Sequence, residues 1–439
     1  MSLAFFAALP VAAACNALPE RVPTELDCNP YPDIEVSDSK IFAFDQLGEA
    51  DWYDFTDNTP SGVAMFGVKD LSEQPHGERC GATQAMVIDS YGYNDWGECF
   101  TFADPQEVWF FEILGPGRGK VGAVWAAVRL PDDQVAVSAN SHRIRQIDLS
   151  DPDHYMASEN VFSLAREMGW WDPDDGEPFE FCYAYADRNS MFSRRREWRA
   201  LSLLAPSLGL DPNAENFPLS VKPERQVTVQ DLLAIFRDAY EDTPYDMTRR
   251  LTVVDRQGQT VKSPVANPFM NADLRELLGV ERERTIASPT ATYVQITQSR
   301  SWLPDPIGGV VWLGYDNPAT TPHLPFYIGI SQMPASYLVD GRRAYRRESA
   351  WWAFRRATKL SYFRYQDMKA VLREVWEPIE RDVFARQASM EEEALRLYRE
   401  DPARAEGFLT AYCHDVANRT VERYWQLGDE LWTRFNNAF

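Results

Sequence analysis

Strand period opens the regular part of this chain and sustained helical period closes it, and that order limits the folds open to it. From Cys99 to Ile144 the apolar side chains run in short strand-like stretches, CFTFADPQEVWFFEILG, GAVWAAVRL and QVAVSANSHRI, separated by Gly, Pro and Asp. From about Arg346 they recur at helical spacing, with Met368, Val371, Leu372, Val375, Ile379 and Val383 in one row and Val421, Tyr424, Leu431, Trp432 and Phe435 in another. Strands come first and long helices last, so α+β layering is expected rather than a regular βαβ alternation.

Between these regions, residues 228–240 form an amphipathic helical pattern with Leu232, Leu233, Ile235, Phe236 and Tyr240 inward, while TYVQITQSR and GGVVWLGY return to strand period. Ser158 or Asn160 is placed to cap a helix beginning near residue 161. Residues 16–85 are rich in Pro, Asp and Gly and read as loops with a few short strands. The expected organisation is a signal-like segment at 1–14, a divergent segment at 15–85, a body at 86–345 and a helical region at 346–439.

Several chemistries are disfavoured by the residues themselves. A formal charge of −22 repels phosphate backbones and anionic headgroups, so nucleic acid is not an expected partner. No run reaches the ~18 apolar residues of a membrane span. Gly117, Gly119 and Gly122 spell GxGxxG, but a strand rather than a helix follows, which predicts a hairpin turn and not a dinucleotide site. The five histidines lie far apart, and Asp172–Glu177 has Tyr183 where a calcium loop needs its closing Glu, so the histidines read as structural or surface residues and the acidic stretch as a solvated turn. Arg194–Arg196 with Arg199, and the arginines at 342, 343, 346, 347, 355 and 356, read as solvated helix faces. The 14 Trp and 19 Tyr would suit a carbohydrate surface, but most sit in apolar periodic stretches.

Cys15 follows LAFFAALPVAAA, an apolar run ending in small residues as an export signal does, though without a preceding Lys or Arg. The expectation is a periplasmic or secreted protein, with a cytoplasmic location as the alternative. The six cysteines leave both a reduced state and one or two disulfides open. If processing made Cys15 the first residue, its thiolate could attack a carbonyl while its own α-amine took the proton. The alternatives for such a cysteine are a lipid anchor or a structural role.

Five stretches carry a resemblance that bears on that choice: YGYNDWGECFTFADPQEVWFFEILGPG, GAVWAAVRLPDDQVAVSANSHRIRQIDLSDPDHYMASENV, LAREMGWWDP, SVKPERQVTVQDLLAIFRDAYEDTPYDMT and QSRSWLPDPIGGVVWLGYDNPATTPHLPFYIGISQMPASY. In this order they resemble the cysteine-type dipeptidases of the dipeptidase A group, which are N-terminal nucleophile hydrolases. The resemblance implies a four-layer αββα sandwich and hydrolysis of dipeptides or similar small amides through an acyl-enzyme on cysteine, without metal or cofactor. Asn140, in Ala-Asn-Ser-His-Arg-Ile, is similar to the family's Ala-Asn-x-x-Arg-Ile element and is the candidate oxyanion donor; a simple Asn turn is the alternative. Arg143 in the same element is the candidate for a substrate carboxylate, with a structural ion pair as the other use. The segment before Tyr91 departs from the family, which begins Cys-Thr where this chain has Cys15-Asn16. A relative that binds small peptides or amides without cleaving them is therefore the alternative function.

Overall fold

The computed structural model describes residues 107–115, 123–186, 190–339, 341 and 344–438, together with strands at 52–53, 63–70, 84–90 and 97–103. Cys15, Cys28, Cys80, His76, Arg342, Arg343 and the three glycines at 117, 119 and 122 lie outside the described residues. The fold mixes helix and sheet and has a helical C-terminal region. The described residues form two units, the first running to Glu197 with Asn213–Glu224, the second comprising Trp198–Pro212 and Arg225–Phe439.

In the first unit, strands β1 (Trp52–Tyr53), β2 (Val63–Asp70) and β3 (Gln84–Ser90) pair in that order as an antiparallel sheet. A second antiparallel sheet orders β4 (Gly97–Ala103), β5 (Val108–Leu114), β6 (Val124–Arg129) and β8 (Tyr155–Ala157), while β7 (Val135–Ala136) stands outside it. The antiparallel pairing of β5 with β6 joins strand to strand across the glycine-rich segment, so no βαβ dinucleotide unit forms there. Alternation along β5 puts Phe110, Glu112 and Leu114 on one face, and Phe110 and Leu114 pack with Val124 and Ala126 of β6, Val161 and Leu164 of helix α1 (Val161–Glu167) and Phe181 and Tyr185 of α2 (Phe181–Tyr185). Asn160 occupies the cap position of α1 but its side chain makes no capping bond; Ser158 instead accepts from the Trp125 amide.

The expected strand over Gln134–Ile144 is much shorter than its apolar alternation suggests. Only Val135 and Ala136 form ladder pairs, with β9 (Ser220–Val221); the Val137 amide donates to the Leu219 carbonyl, and Asn140 then turns the chain at a left-handed φ of 57°. Helix α3 (Met191–Leu204) runs between these segments in sequence. Its arginines correct the solvated-face expectation: Arg195 and Arg196 are buried. The acidic stretch is a single exposed turn, Pro173–Asp175, capped by the Asp172 carboxylate and closed by Gly176 at a left-handed φ of 79°.

In the second unit, helix α4 (Val229–Phe236) starts at a reciprocal capping box between Thr228 and Asp231 and ends before Tyr240, which is buried beyond it at φ 64°. The hairpin of β10 (Thr252–Val254) and β11 (Thr260–Lys262), and helix α5 (Ala272–Leu278), precede an antiparallel sheet of β12 (Tyr293–Gln298), β13 (Val310–Tyr315) and β14 (Leu324–Tyr327); the short α6 (Asp305–Gly308) lies between β12 and β13 in sequence. Helices α7 (Ala350–Ser361), α8 (Tyr365–Glu400) and α9 (Pro402–Phe435) complete it. Both helical rows read from sequence are realised in α8 and α9, except that Trp432 is 55% exposed. The α8 row serves two clusters: Met368, Val371, Leu372 and Val375 pack with α7 and α9, whereas Val383, Met390 and Ala394 pack with the sheet. Pro378 lies between the two groups.

His323 of this unit is wholly buried, with Nδ1 3.3 Å from Glu380 Oε1 and 3.2 Å from Arg237 Nη2. Burial, against the pull of Glu380 and with the help of Arg237, holds its pKa below the usual imidazole value. A ring that stays neutral when folded but takes a proton when unfolded stabilises the protein above about pH 6.5 and loses that contribution as pH falls from there toward the folded value. The urea midpoint is therefore expected to drop between pH 7 and pH 5, and His323→Gln to flatten the drop by up to ~1.4 kcal/mol per pH unit. Parallel pH profiles for parent and variant would refute this.

Candidate functional site

The polar groups that hold residues 138–144 come from two elements of the first unit. Glu112 is 0% exposed on the otherwise apolar face of β5. Its Oε1 accepts from the Arg143 amide at 2.5 Å and its Oε2 from the Ile144 amide at 3.0 Å. A strand neighbour would normally satisfy such buried amides; here a carboxylate does, which accounts for both the shortened strand and the buried acid. Nearby, Cys99 Sγ donates to Glu112 Oε1 at 3.8 Å, and Ser138 Oγ donates to the Ser141 carbonyl at 2.7 Å.

Helix α3 supplies the rest from one face, where Ser193, Arg196 and Glu197 fall at i, i+3 and i+4. Ser193 Oγ donates to the Asn140 carbonyl at 3.2 Å, and Arg196 donates to the Ala139 carbonyl and to Asn140 Oδ1, each at 2.9 Å. Glu197 Oε1 accepts from Ser141 Oγ at 2.7 Å, and its Oε2 is 3.2 Å from Arg143 Nη1.

Asn140 is exposed at the centre of this frame. A guanidinium has only donors, so the amide oxygen must face Arg196 and the Nδ2 end, which can only donate, points the other way. Arg143, in contrast, is 3% exposed. Its guanidinium donates to the carbonyls of Val137, Phe217 and Pro218 and pairs with Glu197. The structure thus brings Asn140 and Arg143 into one network, with Arg143 in ion-pair geometry, while Cys15 lies outside the described residues. Among the described residues no group of three or more His, Cys, Asp or Glu is placed to hold a metal.

Sequence reasoning missed Glu112, Ser193, Arg196 and Glu197. One signal was present for Glu112, a single acid in the apolar run Trp109–Leu114. For α3 the signal was three consecutive arginines, and its face could not be assigned from local pattern.

The model of peptidase family C69 matches residues 79–378, more than half of the chain. The chain belongs to peptidase family C69. The C69 match opens inside the segment read as divergent and extends into α8. Among curated relatives, the chain is similar to probable dipeptidases of Latilactobacillus sakei (27% identity, covering 57% of this chain and 47% of the relative) and Salmonella dublin (30%, covering 56% and 49%). It is also similar to probable dipeptidase B of Lactococcus lactis subsp. lactis (29%, covering 61% and 50%). The chain spans about half the length of these curated relatives. No helix among the described residues is long and apolar enough to cross a membrane.

Proposed function

We propose that this chain is a cysteine dipeptidase in which Cys15 is both nucleophile and base and Asn140 stabilises the oxyanion. The observation that carries the reading is the orientation of Asn140, an exposed amide in a left-handed turn whose oxygen is already engaged by Arg196. Membership of C69 supplies the reaction class. In this reading residues 1–14 are removed, as from an exported precursor, and the fold is the four-layer αββα sandwich of N-terminal nucleophile hydrolases. Support for the layering comes from the helices packed on an antiparallel sheet in each unit.

The steps balance without a cofactor. The α-amine of Cys15, with a reference pKa of ~7.7–8.0, takes the thiol proton as Sγ attacks the substrate carbonyl. Nδ2 of Asn140 donates to the resulting oxyanion. Collapse expels the amine product, which takes the proton back, and water then hydrolyses the thioester with the same α-amine as base. The buried guanidinium of Arg143 acts here through the loop it anchors; contact with a substrate carboxylate is its other proposed use.

The test joins chemistry to turnover. A free N-terminal cysteine is a 1,2-aminothiol and condenses with 2-cyanobenzothiazole, which internal cysteines do not do stably. Protein from its native host is expected to take up one such label, to have the intact mass of a chain beginning at Cys15, and to lose dipeptide hydrolysis on labelling. Internal thiols such as Cys413, which burial pushes up to about 12, remain unlabelled. Dipeptide binding without turnover by a chain that begins at Cys15 would favour the non-catalytic reading instead.

A further inference from the structure

We infer that Arg196 is a positioning residue that aims the Asn140 amide before substrate arrives; this rests on Asn140 being the oxyanion donor. Arg196 is 7% exposed and does not need substrate to order it. Its Nε donates to the Phe192 carbonyl of its own helix at 3.1 Å, which fixes the plane of the guanidinium. The two terminal nitrogens then reach the Ala139 carbonyl and Asn140 Oδ1, both at 2.9 Å. One rigid fork thereby sets the backbone before Asn140 and the torsion of its side chain.

Two properties of Asn140 make this control necessary. A left-handed backbone is disfavoured for a residue with a Cβ and persists only where its surroundings hold it, here through the Ser193 and Arg196 bonds. The terminal torsion of an asparagine is also broad and roughly two-fold, so a solvent-exposed amide would present oxygen or nitrogen in turn. An amide turned the wrong way places a carbonyl oxygen against the oxyanion and repels it. Because Arg196 cannot accept a hydrogen bond, it admits only the orientation with Nδ2 toward the reacting carbonyl.

A double-substitution cycle on the processed chain, beginning at Cys15, tests this. Asn140→Ala is expected to lower kcat by about 10²–10³-fold, the effect of losing one oxyanion donor. Arg196→Met is expected to lower kcat by roughly 10–100-fold with KM nearly unchanged, since a misdirected donor is lost mainly to the transition state. Arg196→Lys can reach one acceptor but not both, and is expected to recover part of kcat. The double variant Asn140→Ala with Arg196→Met is expected to be no slower than Asn140→Ala alone. Circular dichroism and thermal melting identify variants that fold; if Arg196→Met does not, Arg196→Lys takes its place in the cycle.

Additive losses, or a change confined to KM, would overturn the positioning role while leaving Asn140 as the donor. An unchanged kcat in Asn140→Ala, or no turnover by the parent chain, would overturn the donor assignment and this inference with it.

Discussion

Replacing Cys15 by alanine is expected to lower dipeptide turnover by roughly 10³-fold or more, to the level left by binding and oxyanion stabilisation alone. The size follows from one residue holding two roles. Alanine keeps the α-amine but removes the sulfur, so no acyl-enzyme forms and the amine can act only on water. Serine at the same position keeps a nucleophile of far higher pKa and is expected to fall between the two. Steady-state hydrolysis of a dipeptide panel, with mass spectrometry of a quenched reaction to find the thioester, reads all three proteins. Full activity in Cys15→Ala would sink the nucleophile assignment and turn attention to Cys99, the described cysteine hydrogen-bonded into the Glu112 network.

The second large effect is on stability. Glu197→Ala is expected to cost about 3–5 kcal/mol, because it removes the buried carboxylate that pairs with the Arg143 guanidinium. Both side chains are essentially solvent-free, at 1% and 0% exposure, so water cannot replace the lost partner. Ser141 Oγ loses its acceptor in the same substitution. Glu197→Gln keeps an oxygen for Ser141 but not the charge, and is expected to be the milder variant. Denaturant midpoints compare them, and an alanine variant within 1 kcal/mol of the parent would show that the pair is not a structural anchor.

What was legible in the sequence follows from how far a pattern extends along the chain. The rows from Met368 to Val383 in α8 and through Tyr424 and Leu431 in α9 are visible because helical spacing repeats locally; Trp432 misled because it adjoins the buried Leu431 but falls on another face. The hairpins around β5 and β6 were legible for the same reason. Asn140 was found through a short element shared with a family. The residues that hold it were not, since Arg196 lies 56 positions away and Arg143 reaches carbonyls 74 and 75 positions away. A buried arginine and a solvated one look alike until the chain has folded. Likewise nothing in Gln134–Ile144 announces that a carboxylate, rather than a neighbouring strand, takes up its last amides.

Helix α8 belongs to two apolar clusters at once, one before Pro378 and one after it. A rod shared in this way ties their fates together: fraying at either end withdraws side chains from packing that the other end helps to hold in register. The C-terminal helices are therefore expected to gain or lose their order together, with α8, 36 residues long, as the element common to both clusters.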